Sequence, residues 1–341
     1  MKRERLQRER LEGGGNYFAA PKDDIEFIPS GSKMLDLALG GGWAEGRIAN
    51  IVGDKASGKT LLCIEAAANF IAKYEHGEIK YRECEAAFDP QYAAALGMPL
   101  DRVDFGEPFE TVEDFFEDLV AVMKKAKQPT LYILDSLDSL SDREEMERDM
   151  NEGTYGTGKA KKMSQLFRRV VRKLRESRVT LIVVSQVRSN IGVTFGKATT
   201  RSGGRALDFY SSQTLFLAQL KKLQRTIKGV ERTVGTALRA RLEKNKVSLP
   251  FREAEFNISF GYGIDDVSSC LEWLKKIKAL NELPFESDDI KKITKELDGL
   301  SDKLYFKRVR KIHKLATTKW YEIETSFMPT RKKYGRRASG E

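Results

Sequence analysis

Cysteine is scarce in this chain. Three occur in 341 residues, Cys63, Cys84 and Cys270, too widely spaced to form a metal-ligand pattern. That argues against a disulfide-stapled scaffold and leaves reduced, mostly buried thiols, the usage of a cytosolic protein. Long apolar runs are missing too. Nothing approaches the roughly 20 consecutive apolar residues of a bilayer-spanning helix. The opening MKRERLQRERLE is charged with no apolar stretch behind it, so no secretory signal is expected. No internal repeat is visible. A cytoplasmic protein with no membrane partner is the expectation.

What the chain does have is charge, with one sign in surplus. Lysine and arginine number 60 against 50 aspartates and glutamates, a formal net charge of +10. A polyanionic partner would account for the surplus, and so would a solvated basic surface that binds nothing in particular. The length allows one large core and a small appended domain.

Composition divides the chain. Within residues 1–29, a charged stretch of helical character is interrupted by Gly13-Gly14-Gly15. It is too polar to bury a face of its own, so it reads as an arm at a protomer interface or a frayed end. From 30 to 264, short apolar runs alternate with amphipathic segments. IANIV (48–52), IKYREC (79–84), TLYILDS (130–136) and VTLIVVSQ (179–186) read as buried strands. TLLCIEAAANFIAKY (60–74), TVEDFFEDLVAVMKKAK (111–127) and MSQLFRRVVRKLRES (163–177) carry apolar residues at helical spacing. This alternation predicts an α/β fold, a mostly parallel sheet with helices on both faces. QTLFLAQL (213–220), TALRARLEKNKVS (236–248) and EFNISF (255–260) follow without helices between them and predict antiparallel strands at one edge. Residues 265–330, helical in character with breaks at Pro284 and Pro329, predict a small C-terminal domain, and 331–341 a basic flexible tail.

One segment carries specific chemistry. Gly53-Asp54-Lys55-Ala56-Ser57-Gly58-Lys59-Thr60 fits G-x-x-x-x-G-K-[ST], between an apolar strand and a helix. Glycines let the backbone curl so that successive N–H groups face phosphate oxygens, and the helix N-terminus adds partial positive charge. Lys59 would reach the β- and γ-phosphates and the Thr60 hydroxyl would ligate Mg²⁺. An incidental glycine-rich turn is the bland alternative, which the flanking strand and helix disfavour. A carboxylate ending a neighbouring strand completes such a site, and Asp135 after LYIL is placed to hold the metal through water. Glu85, just after IKYREC, could orient and deprotonate the attacking water. Gln186, after VTLIVVS, could sense the γ-phosphate. On residues alone, a surface role for Glu85 and Gln186 stays equally open.

Together the phosphate loop, CEAAFDPQYAAALG (84–97), LYILDS, SQVRSNIGVTFGKATTRSGGRALDFYSS (185–212) and KNKVSLPFREAEF (244–256) resemble the RecA recombinases, in that family's order, over roughly residues 30–264. The resemblance implies a RecA-like P-loop core that uses ATP and Mg²⁺. Glu85 is then similar to the catalytic glutamate. Asp89 and Tyr92 lie where the family contacts adenosine, and Gln186 lies where a glutamine couples the γ-phosphate to DNA. Lys244 and Lys246 resemble the pair that reaches a neighbouring protomer's ATP. Two segments look like the family's DNA-binding loops. The first, about 147–162, includes Lys161 and Lys162. The second, about 189–206, includes Phe195, Arg201, Gly203, Gly204 and Arg205, with Arg188 just before it. Arg168 matches a further DNA-contacting arginine.

The resemblance implies a filament-forming recombinase. Such a protein binds single-stranded DNA, pairs it with a homologous duplex and hydrolyses ATP in response, with a single-strand-binding protein and a loader as possible partners. A hexameric helicase or branch-migration motor on the same core is the alternative, and a regulatory ATP-binding protein a third. Departures from the pattern are Ser185 for asparagine, Ala86 for histidine and Thr199 for glutamate. A basic ending replaces the acidic tail of bacterial members, which implies readier binding of duplex DNA.

Overall fold

The computed structural model describes residues 25–147, 157–189, 199–201 and 204–329. Strand β1 (Phe27–Ile28) pairs antiparallel with β2 (Trp43–Ala44), and helix α1 (Lys33–Leu39) lies between them. The helix is closed at both ends: Ser32 Oγ accepts from Leu35 N at 3.3 Å, and Gly40 takes the left-handed conformation (φ 89°) that a C-terminal cap requires.

The predicted α/β core follows: β3 (Ile48–Gly53), α2 (Lys59–Lys73), β4 (Glu78–Glu83), α3 (Pro90–Ala95), β5 (Val103–Asp104), α4 (Val112–Lys125), β6 (Thr130–Asp135), α5 (Arg143–Glu147), α6 (Thr157–Ser177) and β7 (Val179–Ser189). After β8 (Thr199–Arg201) and α7 (Gly204–Tyr210) come β9 (Gln213–Ile227), β10 (Val230–Asn245), β11 (Glu253–Ser259) and β12 (Gly263–Asp265). The sheet runs β12-β11-β10-β9-β3-β7-β6-β4-β5, with β8 on the end of β7. Strands β9, β3, β7, β6, β4 and β5 are mutually parallel, and β10, β11 and β12 add antiparallel.

Side chains of the central strands alternate between two apolar layers, which is why these strands read as unbroken apolar runs. Leu131, Ile133, Ile182 and Val184 join α1 and α2 on one face. Tyr132, Leu134, Leu181 and Val183 join Phe115, Phe116, Phe167 and Leu174 of α4 and α6 on the other. Thr111 and Asp114 form a reciprocal capping box at the start of α4, a device that contributes on the order of 1 kcal/mol.

Helices α8 (Asp266–Lys276), α9 (Ile290–Asp298) and α10 (Asp302–Ser326) follow, as the helical character of 265–330 predicted. Leu271, Leu274, Ile293, Leu297, Ile312, Ala316 and Trp320 belong to the first of those two apolar layers, so these helices share the sheet's core.

Two expectations change. The strand 213–220 runs on to Ile227 and returns as β10 through Lys228 (φ 51°) and Gly229 (φ 78°), a hairpin far longer than expected. Residues 221–234 are solvent-exposed or nearly so on both faces, so no apolar alternation marks them; the Lys-Gly turn was the available signal. Helix α6 begins at Thr157 instead of 163, because Lys159, Ala160, Lys161, Lys162 and Met163 favour helix and Met163 is buried against Phe167's layer.

Candidate nucleotide site

The parallel register brings the predicted groups to one edge. Gly53, at the end of β3, stands beside Gln186 of β7, and Asp135, at the end of β6, beside Glu83 of β4. All four mark carboxyl ends of parallel strands, where open α/β sheets place their ligands.

Residues 54–58 curl between β3 and α2. Gly58 (φ 86°) sits at the N-terminal cap of α2 with no side-chain capping bond, so the helix's first N–H groups face the loop. A Cβ on Gly53 would collide with Ser57 Oγ, so the loop's tight curl needs glycine there. Ser57 Oγ is buried with no hydrogen-bond partner among the described residues. Lys59 donates to Gly53 O at 3.1 Å and Asp54 O at 2.7 Å, which folds its ammonium back over the loop. Burial lowers the Lys59 pKa against the pull of Asp135 and Glu85.

Thr60 Oγ1 donates to Asp135 Oδ2 at 2.8 Å, and the Tyr81 hydroxyl donates to the same oxygen at 2.9 Å. Burial raises the Asp135 pKa, and both hydrogen bonds oppose the rise. Hydroxyl and carboxylate oxygens side by side, with an uncommitted Ser57 hydroxyl nearby, suit a hard cation such as Mg²⁺. Gln186 Nε2 donates to Glu85 Oε1 at 3.0 Å, and Ser136 Oγ donates to that same oxygen. Glu85 stands exposed at the mouth, held by groups at the ends of β6 and β7.

Lys55 to Leu61, Glu85, Tyr92, Asp135 and Gln186 line one cleft of about 310 Å³, closed on the far side by Thr236, Ile258 and Phe260. Asp89 is exposed and caps α3, accepting from Tyr92 N at 3.0 Å; it does not line the cleft. Lys244 and Lys246 do not line it either. Both ammoniums donate to Phe209 O, at 2.8 and 3.2 Å, and Lys244 also to Asp208 O, at the C-terminal end of α7. Carbonyls left unpaired at a helix end favour such cations. Burial, and then Lys246, press the Lys244 pKa down to about 8.

The structure places the nucleic-acid candidates unevenly. Lys161 and Lys162 lie on α6, not in a loop. Lys161 is exposed, but Lys162 pairs with Glu113 at 2.7 Å and Glu144 at 3.2 Å. Arg168 is exposed on the same helix, 3.3 Å from the Tyr210 hydroxyl. Arg188 is the penultimate residue of β7, Arg201 lies in β8 and Gly204 and Arg205 open α7. Phe195 and Gly203 fall outside the described residues.

Sequence reasoning missed several contributors. Glu83 accepts from the backbone N–H groups of Glu85, Ala86 and Ala87 at 2.8–3.1 Å, shaping the turn that presents Glu85. Asp138 accepts from Gln186 N at 2.6 Å. Tyr81 and Ser136 touch the two predicted carboxylates. Tyr81, Glu83 and Ser136 lie inside or beside the strands already picked out, but only the parallel register shows what they face.

A phosphate-binding loop after β3 and a carboxylate ending β6, on a parallel sheet covered on both faces, define a P-loop nucleotide-binding protein. A family model described as the RecA N-terminal domain matches residues 15–265. Over 245 residues the chain is 38% identical to Protein RecA of Streptomyces avermitilis, an alignment covering 72% of this chain and 63% of that relative. Over 297 residues it is 34% identical to Protein RecA of Nostoc punctiforme, covering 80% of each. The chain belongs to the RecA family. It spans less than two thirds of the length of the streptomycete relatives it matches. The crystal structure of the RadB recombinase shares the fold, with a TM-score of 0.52 at 21% identity over 71% of this chain and 100% of that one. Among the described residues no helix is long and apolar enough to cross a membrane.

Proposed function

We propose that the chain is an ATP-dependent recombinase: it forms a helical filament on single-stranded DNA, pairs that strand with a homologous duplex and hydrolyses ATP in response to DNA. The observation that carries this reading is the Gln186–Glu85 hydrogen bond. It joins the water-activating candidate to the strand that leads into the second DNA-binding segment. Family membership favours this reading over a ring-shaped helicase or branch-migration motor.

In this reading the backbone of residues 53–60 and Lys59 hold the triphosphate, while Asp89 and Tyr92 hold the adenosine. Thr60 and Asp135 hold magnesium, which when bound neutralises phosphate charge. Glu85 takes the proton of the attacking water and Gln186 reports the γ-phosphate to the DNA segment. Lys244 and Lys246 exchange the Phe209 carbonyl for a neighbouring protomer's nucleotide. Lys161, Lys162, Arg168, Arg188, Arg201 and Arg205 neutralise DNA phosphates, Gly203 and Gly204 let the backbone approach them, and Phe195 wedges between bases. Residues 1–29 contact the neighbouring protomer and 265–341 guide duplex DNA. The setting is the cytoplasm, with a single-strand-binding protein and a loader as further partners.

The test is ATP turnover with and without single-stranded DNA, on wild type and Glu85→Ala, with the same samples viewed by negative-stain microscopy. DNA-stimulated turnover that the substitution removes, with helical filaments in both, is the expected result. Closed rings, or turnover indifferent to DNA, would overturn it.

A further inference from the structure

Away from the nucleotide cleft, three potential metal ligands meet where the last long helix lies against the core. Asp266 and Cys270 are four residues apart on α8, so they share one face of that helix. His313 reaches them from α10. One donor atom from each, the Asp266 carboxylate, the Cys270 thiol and the His313 ring nitrogen, all lie within 4.8 Å of one another.

We infer that Asp266, Cys270 and His313 form a binding site for a thiophilic divalent cation of the zinc class, which clamps α10 to the ATPase core. The donor set suits it: thiolate, imidazole and carboxylate are the three side chains that tetrahedral zinc takes, with water free to fill the fourth position. The spacing suits it too. His313 Nε2 lies 2.8 Å from Asp266 Oδ2, and Cys270 Sγ 3.9 Å from Asp266 Oδ1. Donors around one tetrahedral zinc stand roughly 3.3–3.6 Å apart, so from a triad within 4.8 Å side-chain adjustments of about an ångström complete the geometry.

A second observation points into the same space. His313 Nε2 is shut off from solvent and makes no hydrogen bond among the described residues, although the carboxylate oxygen is close. The oxygen therefore lies off the axis of the ring nitrogen, an arrangement natural for two ligands facing a common centre and poor for a donor facing an acceptor. Asp266 is also fixed from outside: its Oδ1 accepts from Lys33 N at 2.6 Å, at the first turn of α1, the kind of outer hydrogen bond that orients a ligating carboxylate.

Bound there, the ion links α1, α8 and α10 through one centre. Cys270 is fully buried. The thiol gives up its proton to solvent as the metal–sulfur bond forms.

The test uses the full-length chain and Co²⁺ as the probe, titrated in excess Mg²⁺ so that the nucleotide site does not compete. One equivalent should produce a thiolate-to-cobalt charge-transfer band with the visible bands of a tetrahedral ion, and Zn²⁺ should abolish them. Cys270→Ala should remove the charge-transfer band and His313→Gln should weaken cobalt binding by more than about 10-fold, while Cys84→Ser leaves both unchanged. Zn²⁺ should raise the melting temperature of wild type by about 2 °C or more, and not that of either site variant. A spectrum without the charge-transfer band, or a band that survives Cys270→Ala, would overturn the site. If Cys270→Ala fails to fold, His313→Gln, at a half-buried position, decides: undiminished cobalt affinity there also overturns it.

Discussion

Gln186 Nε2 donates to Glu85 Oε1 at 3.0 Å, across the ends of strands that are not neighbours in the sheet. Strand β6 lies between β7 and β4, and its Ser136 donates to the same carboxylate oxygen. One oxygen is thus held by groups from two further strand ends. The second Glu85 oxygen makes no hydrogen bond among the described residues and can take a water. Glu85→Gln should therefore lower DNA-stimulated ATP turnover by about 10²–10⁴-fold, the usual share of a general base, while nucleotide affinity stays within a few-fold. Gln186→Ala should instead bring the ratio of turnover with and without single-stranded DNA towards one. Steady-state hydrolysis and fluorescent-nucleotide binding measure both. Equal losses of affinity and turnover in Glu85→Gln would mean that the residue shapes the cleft and does no proton transfer.

Lys244 supplies a pH signature. Its folded pKa is pressed down to about 8, first by burial and then by Lys246, so it carries its charge below about pH 8 and loses it above. If it neutralises a neighbour's phosphate, DNA-dependent turnover should fall as pH rises from about 7.5 to 9. Arginine stays charged throughout, so Lys244→Arg should flatten the fall if its longer side chain still reaches. Parallel pH profiles in wild type and both Lys244→Arg and Lys244→Ala would remove Lys244 from the reaction.

Much of this site was legible because its marks are local. The phosphate loop is eight consecutive residues, Asp135 ends the apolar run LYIL, and Gln186 follows VTLIVVS. What was not legible depends on register or on packing. Nothing in the sequence says that the Tyr81 hydroxyl meets Asp135, because parallel pairing of β4 with β6 sets that contact. Glu83 was read only as part of the buried strand IKYREC, yet its carboxylate gathers three backbone N–H groups of the Glu85 turn. The distal half of the β9–β10 hairpin was missed for the opposite reason: with both faces exposed, it has no period-two pattern to read. Lys161 and Lys162 were placed in a loop by the resemblance, and the helix propensity of 159–163 overrides that placement.

Asp36 carries a prediction about stability. Burial raises its pKa from 3.8 to about 7, against the opposing hydrogen bond from Ser30 N at 2.8 Å. A folded-state pKa above the unfolded value means that the folded chain holds the proton more tightly. The resulting stability is fully present below about pH 4 and is lost as pH rises through about 7. Asp36→Asn can keep the Ser30 hydrogen bond without any charge. Between pH 5 and pH 8, wild type should therefore lose on the order of 2–4 kcal/mol more than Asp36→Asn. Urea unfolding at the two pH values reads this difference directly, and identical losses in both proteins would refute it.

Lys161 and Lys162 are adjacent in sequence and differ in surroundings, which separates a phosphate contact from a structural one. Lys162 is held by Glu113 at 2.7 Å and Glu144 at 3.2 Å, with Asp142 at 3.9 Å. Those carboxylates already neutralise it, and they tie the start of α6 to α4 and α5. Lys161 is exposed. A lysine free to meet a single-strand phosphate contributes about 0.7 to the slope of log affinity against log salt. Lys161→Ala should reduce that slope by about this amount and leave stability within about 0.5 kcal/mol of wild type. Lys162→Ala should change the slope less, yet destabilise the protein by about 1 kcal/mol, near the upper range for partly exposed ion pairs. Fluorescence anisotropy on a single-stranded oligonucleotide across a salt series, with urea unfolding of the same variants, separates the two. A full slope change in Lys162→Ala would mean that DNA displaces the carboxylates, and the start of α6 would then have to rearrange when DNA binds.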